Sequence, residues 1–233
     1  MFKRLSVILL FTGIAMTMLL SIKPAEKVVV VEEVKEYEVV FPVISEYDEL
    51  MRAVEDESGV DWRLLSAIAY TESRFRGDLT SERGAVGIMQ VMPSIGRHFG
   101  IADEELAEPH NNIRAAAQLL CDIESAIKLP AGIPAHDHLG ILLACYNGGM
   151  GHVSDARRLA RSCGEDMNSW SIVSHYLRLK SDPEYYEREV VKYGKFSSGR
   201  STTAYVREVL KRYDHYCRMT DKAAAKQARQ AAK

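Results

Sequence analysis

The sequence lacks the signals of several large functional classes. Its net charge is −2. A dedicated nucleic-acid binder carries a strong positive balance, so nucleic acid is not an expected partner. There is no glycine-rich phosphate loop of Walker or Rossmann spacing and no convincing Ser/His/Asp order. The four cysteines, Cys121, Cys145, Cys163 and Cys217, fit no zinc or CxxC spacing. In an exported chain they allow up to two disulfides; buried free thiols are the equal alternative. The "HDH" run, residues 136–138, has no third ligand nearby, and Asp137 reads better as a helix cap than as part of a metal site. No metal and no cofactor are expected. Strand signals are almost absent from residues 44–217, and no internal repeat stands out. A hydrophobic content of 47% with 27% charged residues excludes wholesale disorder.

One long uncharged run is present. Lys3 and Arg4 precede "LSVILLFTGIAMTMLLSI", residues 5–22. As a helix this run spans about 27 Å, close to the thickness of a bilayer's hydrocarbon core. A cleaved signal peptide would need a small-x-small site, and the best candidate, "KPA", has Lys23 where a small residue belongs. The reading is therefore a membrane anchor over residues 1–23, with the basic end cytoplasmic and the rest of the chain on the periplasmic side. If the segment is cleaved, the protein is secreted. Residues 24–43, rich in Val and Glu, read as an extended tether. Residues 218–233 read as an Ala/Lys-rich tail, a solvated helix without an apolar stripe.

The 233-residue chain is long enough for one domain with a true core, placed at residues 44–217 and mainly α. Helices are expected in "SEYDELMRAVEDESG", ended by Gly59, and in "WRLLSAIAYTES", capped by Asp61. A Gly-rich loop should lead through Pro93 into a short helix. "EPHNNIRAAAQLLCDIESAI", "HLGILLACYNGG", "DPEYYEREVVKYG" and "TTAYVREVLKRYDHYC" are further helical stretches. Trp62 and Trp170 are expected in the core.

One acid is out of place. Leu65, Ile68 and Glu72 stand at i, i+3 and i+7, on one helix face. A carboxyl on an apolar face loses hydration, which raises its pKa and lets it hold a proton for donation. A Glu at a helix end facing solvent is the equal alternative from this helix alone. Two other stretches have the character of a ligand site. "GAVGIMQVMP", residues 84–93, offers Gly84 and Gly87 for close backbone approach, Gln90 as donor and acceptor, and Met89 and Met92 as flexible lining. "CYNGGMGHV", residues 145–153, places Tyr146 and Asn147 at a helix end before three glycines. An aromatic ring beside an amide suits a sugar.

Taken in order, these stretches resemble the soluble-lytic-transglycosylase-like (SLT) domain, the family 1 lytic transglycosylases with a goose-lysozyme-like fold. The resemblance covers roughly residues 50–215. Its motifs are Glu72-Ser73-Arg74-Phe75, Gly87-Ile88-Met89-Gln90-Val91-Met92-Pro93, Asn112-Ile113, Cys145-Tyr146-Asn147-Gly148-Gly149 and Tyr205-Val206. Two positions depart from it. Ser201 stands where many members carry Glu, and Arg76-Gly77 replaces an Asn-Pro. The resemblance implies a lysozyme-like domain that acts on peptidoglycan glycan strands. Glu72 would be catalytic, and Ser73, Met89, Gln90, Tyr146, Asn147 and Tyr205 would bind substrate. It names no protein partner.

The implied reaction cleaves the MurNAc–GlcNAc β-1,4 bond and leaves 1,6-anhydro-MurNAc ends, with Glu72 as acid and then base. The first rival is a muramidase, which hydrolyses the bond and needs a second carboxyl about 5–9.5 Å away; Asp78 and Glu82 are the near candidates. The second is an inactive glycan-binding module, against which the intact Glu72 weighs.

Overall fold

The computed structural model describes residues 42–231. The proposed anchor at residues 1–23 and nearly all of the tether lie outside these residues. Among the described residues there are nine helices and no named strand. They are α1 (Asp48–Ser58), α2 (Trp62–Ser73), α3 (Pro93–His98), α4 (Pro109–Ile127), α5 (Ala135–Gly148), α6 (Met150–Ser162), α7 (Trp170–Leu179), α8 (Pro183–Tyr186) and α9 (Gly199–Ala231). None of them is long and apolar enough to cross a membrane.

Local sequence sets most of these boundaries. Gly59 ends α1 with φ of 76°, a left-handed conformation that costs glycine nothing. Asp61 caps α2 by accepting the Arg63 amide at 2.8 Å. The same carboxylate accepts the Tyr213 hydroxyl at 2.9 Å, which ties the start of α2 to α9. Pro93 and Pro109 occupy the first turns of α3 and α4, where the missing N–H costs no hydrogen bond.

Packing then fixes where α2 ends. Helix α9 lies along both α2 and α5, and α5 also meets α4, α6 and α7. Leu65 and Ile68 of α2, Ile141, Leu143 and Ala144 of α5, and Val206 and Val209 of α9 are fully buried. Each large side chain so buried contributes about 1.5–3 kcal/mol. Helices α9 and α1 thus pack directly on α2, while α5 packs on α9. Trp62 and Trp170 are buried in this core, as expected.

Four readings change. Helices α6 and α7 are absent from the sequence-based assignment. The stretch "DPEYYEREVVKYG" is helical only over Pro183–Tyr186. Beyond it the backbone bonds to other elements: Val190 accepts from Arg158, while the Lys192 and Tyr193 amides donate to Asp155. Residues 218–231, read as a solvated tail helix, are helical and largely exposed but run on from α9 without a break, with Thr220 buried. Asp137 does not cap its own helix; it accepts the Trp170 amide at 2.8 Å and so caps α7. All four cysteines are free thiols, with Cys145 buried and Cys163 exposed.

Candidate active site

Glu72 sits in the last turn of α2, on the face that carries the buried Leu65 and Ile68. Desolvation raises its pKa from an ordinary 4.5 to about 7, against a smaller lowering influence from the Tyr205 hydroxyl. Among the described residues no other carboxylate contributes to that shift. The helix ends abruptly just after it. Arg74 and Phe75 take φ of 57° and 64°, two successive left-handed residues that carry a Cβ. Such backbone persists only where the surroundings over-determine it, and it concentrates at functional sites.

The chain from Arg74 to Met92 folds back as a loop held by two isolated antiparallel bridges, Thr80 with Val86 and Val86 with Val91. Asn112, fully buried on α4, organises it. Its Oδ1 accepts the Met89 amide at 2.7 Å, and its Nδ2 donates to the Val86 and Leu106 carbonyls at 3.0 and 2.9 Å. Gly87 makes room for it: a Cβ at Gly87 would lie 2.7 Å from the Asn112 amide. The close approach is therefore to the protein itself, which corrects the reading of this glycine as space for a ligand. Gly84 has nothing near its missing Cβ and serves the turn through its φ of 83°.

Ser73 and Met89, expected to contact substrate, are buried. Ser73 is 1% exposed and donates its hydroxyl to the Ile88 carbonyl at 2.7 Å. It locks the loop to α2 and points away from solvent. The Met89 side chain lies in the core, while its backbone carbonyl accepts the Tyr146 hydroxyl at 3.3 Å. Gln90 is half-buried with φ of 50°, and its amide nitrogen donates to the Leu79 and Gly87 carbonyls. Both N–H groups are thus spent on the loop, leaving the side-chain oxygen as its outward acceptor.

Tyr146 and Tyr205 converge on Glu72 from α5 and α9. Burial pushes both phenols well above their usual range, and the Glu72 charge pushes the same way on each. Both remain protonated donors. The Tyr205 hydroxyl is buried and makes no well-aligned hydrogen bond; the Glu72 carboxyl is the nearest group to influence it by hydrogen bonding. Asn147 is exposed beside Tyr146, and its side-chain oxygen accepts the Thr202 hydroxyl at 2.9 Å. Thr202 sits one turn before Tyr205, so α9 orients Asn147 while the Met89 carbonyl orients Tyr146.

The rival carboxyls lie elsewhere. Asp78 and Glu82 are exposed, and Asp78 acts on Tyr47, not on Glu72. Among the described residues no cluster of three His, Cys, Asp or Glu could hold a metal. A cavity of about 640 Å³ between α7 and α9, lined by His175, Arg178, Arg200 and Arg207, includes none of the Glu72 group.

Four segments distant in sequence thus meet around one half-buried acid. Residues 49–168, about half of the chain, match the transglycosylase SLT domain family. The chain belongs to that family. Curated relatives agree with this SLT assignment. The chain is 34% identical over 175 residues to the membrane-bound lytic murein transglycosylase F of Marinobacter nauticus, covering 75% of this chain and 34% of that one. Against the Maricaulis maris protein of the same name it is 36% identical over 163 residues, covering 70% and 34%. The chain thus spans about a third of the length of these relatives. In fold it is similar to an inactive mutant of lytic transglycosylase Slt from Pseudomonas aeruginosa. The TM-score there is 0.50 at 23% identity, over 73% of this chain and 24% of that one.

Two contributors to the SLT site had no role in the sequence reading. Asn112 was noted only as part of a motif, although an Asn in the first turn of a helix with an Ala-rich buried face is a usable signal. Thr202 belongs to none of the motifs and carries no local signal of its bond to Asn147. Ser201 is exposed and bonds the Ser198 carbonyl at 2.8 Å.

Proposed function

We propose that the chain is a peptidoglycan lytic transglycosylase in which Glu72 works alone, as acid and then as base. The observation that carries this reading is the placement of Glu72 on the apolar face of α2 beside the buried Tyr146 and Tyr205, where desolvation raises its pKa to about 7 and no second carboxylate among the described residues acts on it. Glu72 protonates the glycosidic oxygen as the C1–O bond breaks, and the substrate N-acetyl group assists at C1. The resulting carboxylate takes the proton of the C6 hydroxyl, whose oxygen closes onto C1. Glu72 is protonated again at the end and no water is consumed. Tyr205 steadies the carboxylate phase, and Tyr146, hydrogen-bonded to Met89, holds the facing wall. Asn147 and the Gln90 side-chain oxygen contact the sugar edges.

The hydrolytic alternative needs a carboxylate to hold water within about 5–9.5 Å of the acid. The exposed positions of Asp78 and Glu82 and their silence at Glu72 speak against it. The names of the relatives support murein as the substrate class, and the word membrane-bound in those names supports residues 1–23 as an anchor; the basic Lys3 and Arg4 ahead of it put residues 44–217 on the periplasmic side.

The test is fragment analysis of purified peptidoglycan after digestion. The expected products carry anhydro ends, and Glu72→Gln yields none while still binding strands. Reducing ends would overturn the transglycosylase assignment; cleavage surviving in Glu72→Gln would overturn the role of Glu72.

A further inference from the structure

The large hydrophobic side chains exposed among the described residues are Val43, Met92, Met150 and Tyr193. Val43 lies at the start of those residues. The other three adjoin the segments that build the site, two in sequence and one by packing. Met92 follows Gln90 by two residues and Met150 follows Asn147 by three. Tyr193 is distant in sequence, yet it packs on the same turn as Met150: a Cβ at Gly151 would lie 2.6 Å from its ring.

Tyr193 is held there by a costly device. Asp155 of α6 is completely buried, and so is Lys180, whose ammonium pairs with it at 2.6 Å. Burying two charges is unfavourable unless every remaining lone pair is used. They are used on one loop. Asp155 accepts the Lys192 and Tyr193 amides, each at 2.8 Å, and also pairs with Arg158. Arg158 in turn donates to the Val190 carbonyl, and the Phe196 amide donates to the Lys180 carbonyl, both at 2.9 Å. Phe196 closes the arrangement. It stacks on His152 with centroids 4.4 Å apart, and a Cβ at Gly148 would lie 3.1 Å from its ring. Residues 190–196 are therefore clamped onto the turn that follows Tyr146 and Asn147. The Tyr193 backbone is fixed, one side of its ring rests on Gly151, and 60% of the residue is open to solvent.

A core residue needs no such exposure, and a plain surface loop needs no buried ion pair. A rigid aromatic face beside a sugar site serves one purpose well: it offers apolar contact to a pyranose ring at little ordering cost. We propose that Tyr193 is a glycan-stacking residue, forming a platform for a sugar of the strand on the Asn147 side of Glu72, with the Asp155–Lys180 pair as its anchor. This rests on the glycan-cleaving reading above and extends it to a binding position outside the family motifs.

The experiment uses the full chain and soluble glycan strands freed of stem peptides. Tyr193→Ala is expected to raise KM on long strands about 3–10-fold, with kcat unchanged. Tyr193→Phe and Tyr193→Trp should retain the original KM, because the ring face is the contact. Thermal unfolding of Tyr193→Ala should match the parent, since the ring is mostly exposed. Binding to the same strands in a Glu72→Gln background should weaken in parallel. An unchanged KM in Tyr193→Ala, or a Phe variant as impaired as Ala, overturns the platform while leaving the catalytic reading intact. Hydrolytic products from the parent overturn the transglycosylase reading while leaving the platform testable by the same KM comparison. A parent that neither cleaves nor binds strands overturns both.

Discussion

Glu72→Gln keeps the shape of the side chain and removes its charge. In the folded chain Glu72 titrates at about 7, against 4.5 for an ordinary Glu. Below about pH 4.5 both folded and unfolded states hold the proton, and burial adds no pH-dependent cost. Between about 4.5 and 7 the folded state binds more protons than the unfolded one, so stability falls as pH rises. Above about 7 both states have lost the proton, and the native state carries the whole penalty of a desolvated carboxylate. The size of the shift sets that penalty at up to about 3 kcal/mol. Glutamine carries no such penalty. Thermal unfolding followed by circular dichroism should therefore show Glu72→Gln melting about 5–10 °C above the parent at about pH 8, and level with it at about pH 4. The variant gains stability where it loses catalysis. A gain of equal size at both pH values would point to packing and not to charge. No gain at the higher pH would refute the claim that burial, unrelieved by a partner charge, holds the proton on Glu72.

The same pKa governs the rate. For the free enzyme kcat/KM should fall about tenfold per pH unit above about 7, measured by release of anhydro fragments; a flat profile to high pH would mean another acid. Asn112→Ala strands the buried Met89 amide and frees the Val86 and Leu106 carbonyls, so denaturant unfolding should show a loss of about 2–4 kcal/mol. Cleavage should fall below what the folded fraction explains, because Met89 supports Tyr146. Ser73→Ala should cost about 1 kcal/mol through the lost bond to Ile88, with KM for glycan strands unchanged. A raised KM there would return Ser73 to the substrate.

How legible the site was depended on what each residue bonds to. Glu72 could be singled out because its two apolar neighbours are local, at fixed positions on one helix. Asp61 and Gly59 could be placed because caps and left-handed turns are chemistry of adjacent residues. The burial of Met89 is not legible locally, because an unbranched apolar side chain in a Gly-rich loop looks the same whether it faces a ligand or the core. The burial of Ser73 is hidden for a similar reason: nothing nearby in sequence reveals a hydroxyl aimed at Ile88. The helix expected through Val190 to Tyr193 fails because Asp155, more than thirty residues earlier, competes for its backbone amides. A buried, charge-assisted bond outweighs the modest helix propensity of a stretch with two consecutive β-branched valines.

The sequence by itself determined the helical class, most helix ends, the family, and the one acid worth suspecting, because periodicity, caps and ordered motifs are written in short spans. The tertiary structure alone decided that no carboxylate among the described residues acts on Glu72, that Asn112 and Ser73 fasten the loop from inside, and that Tyr193 stands on the turn after Asn147. Each of these depends on which groups desolvate one another across the fold. Burial and long-range hydrogen bonding are properties of the packed chain, with no local pattern to announce them.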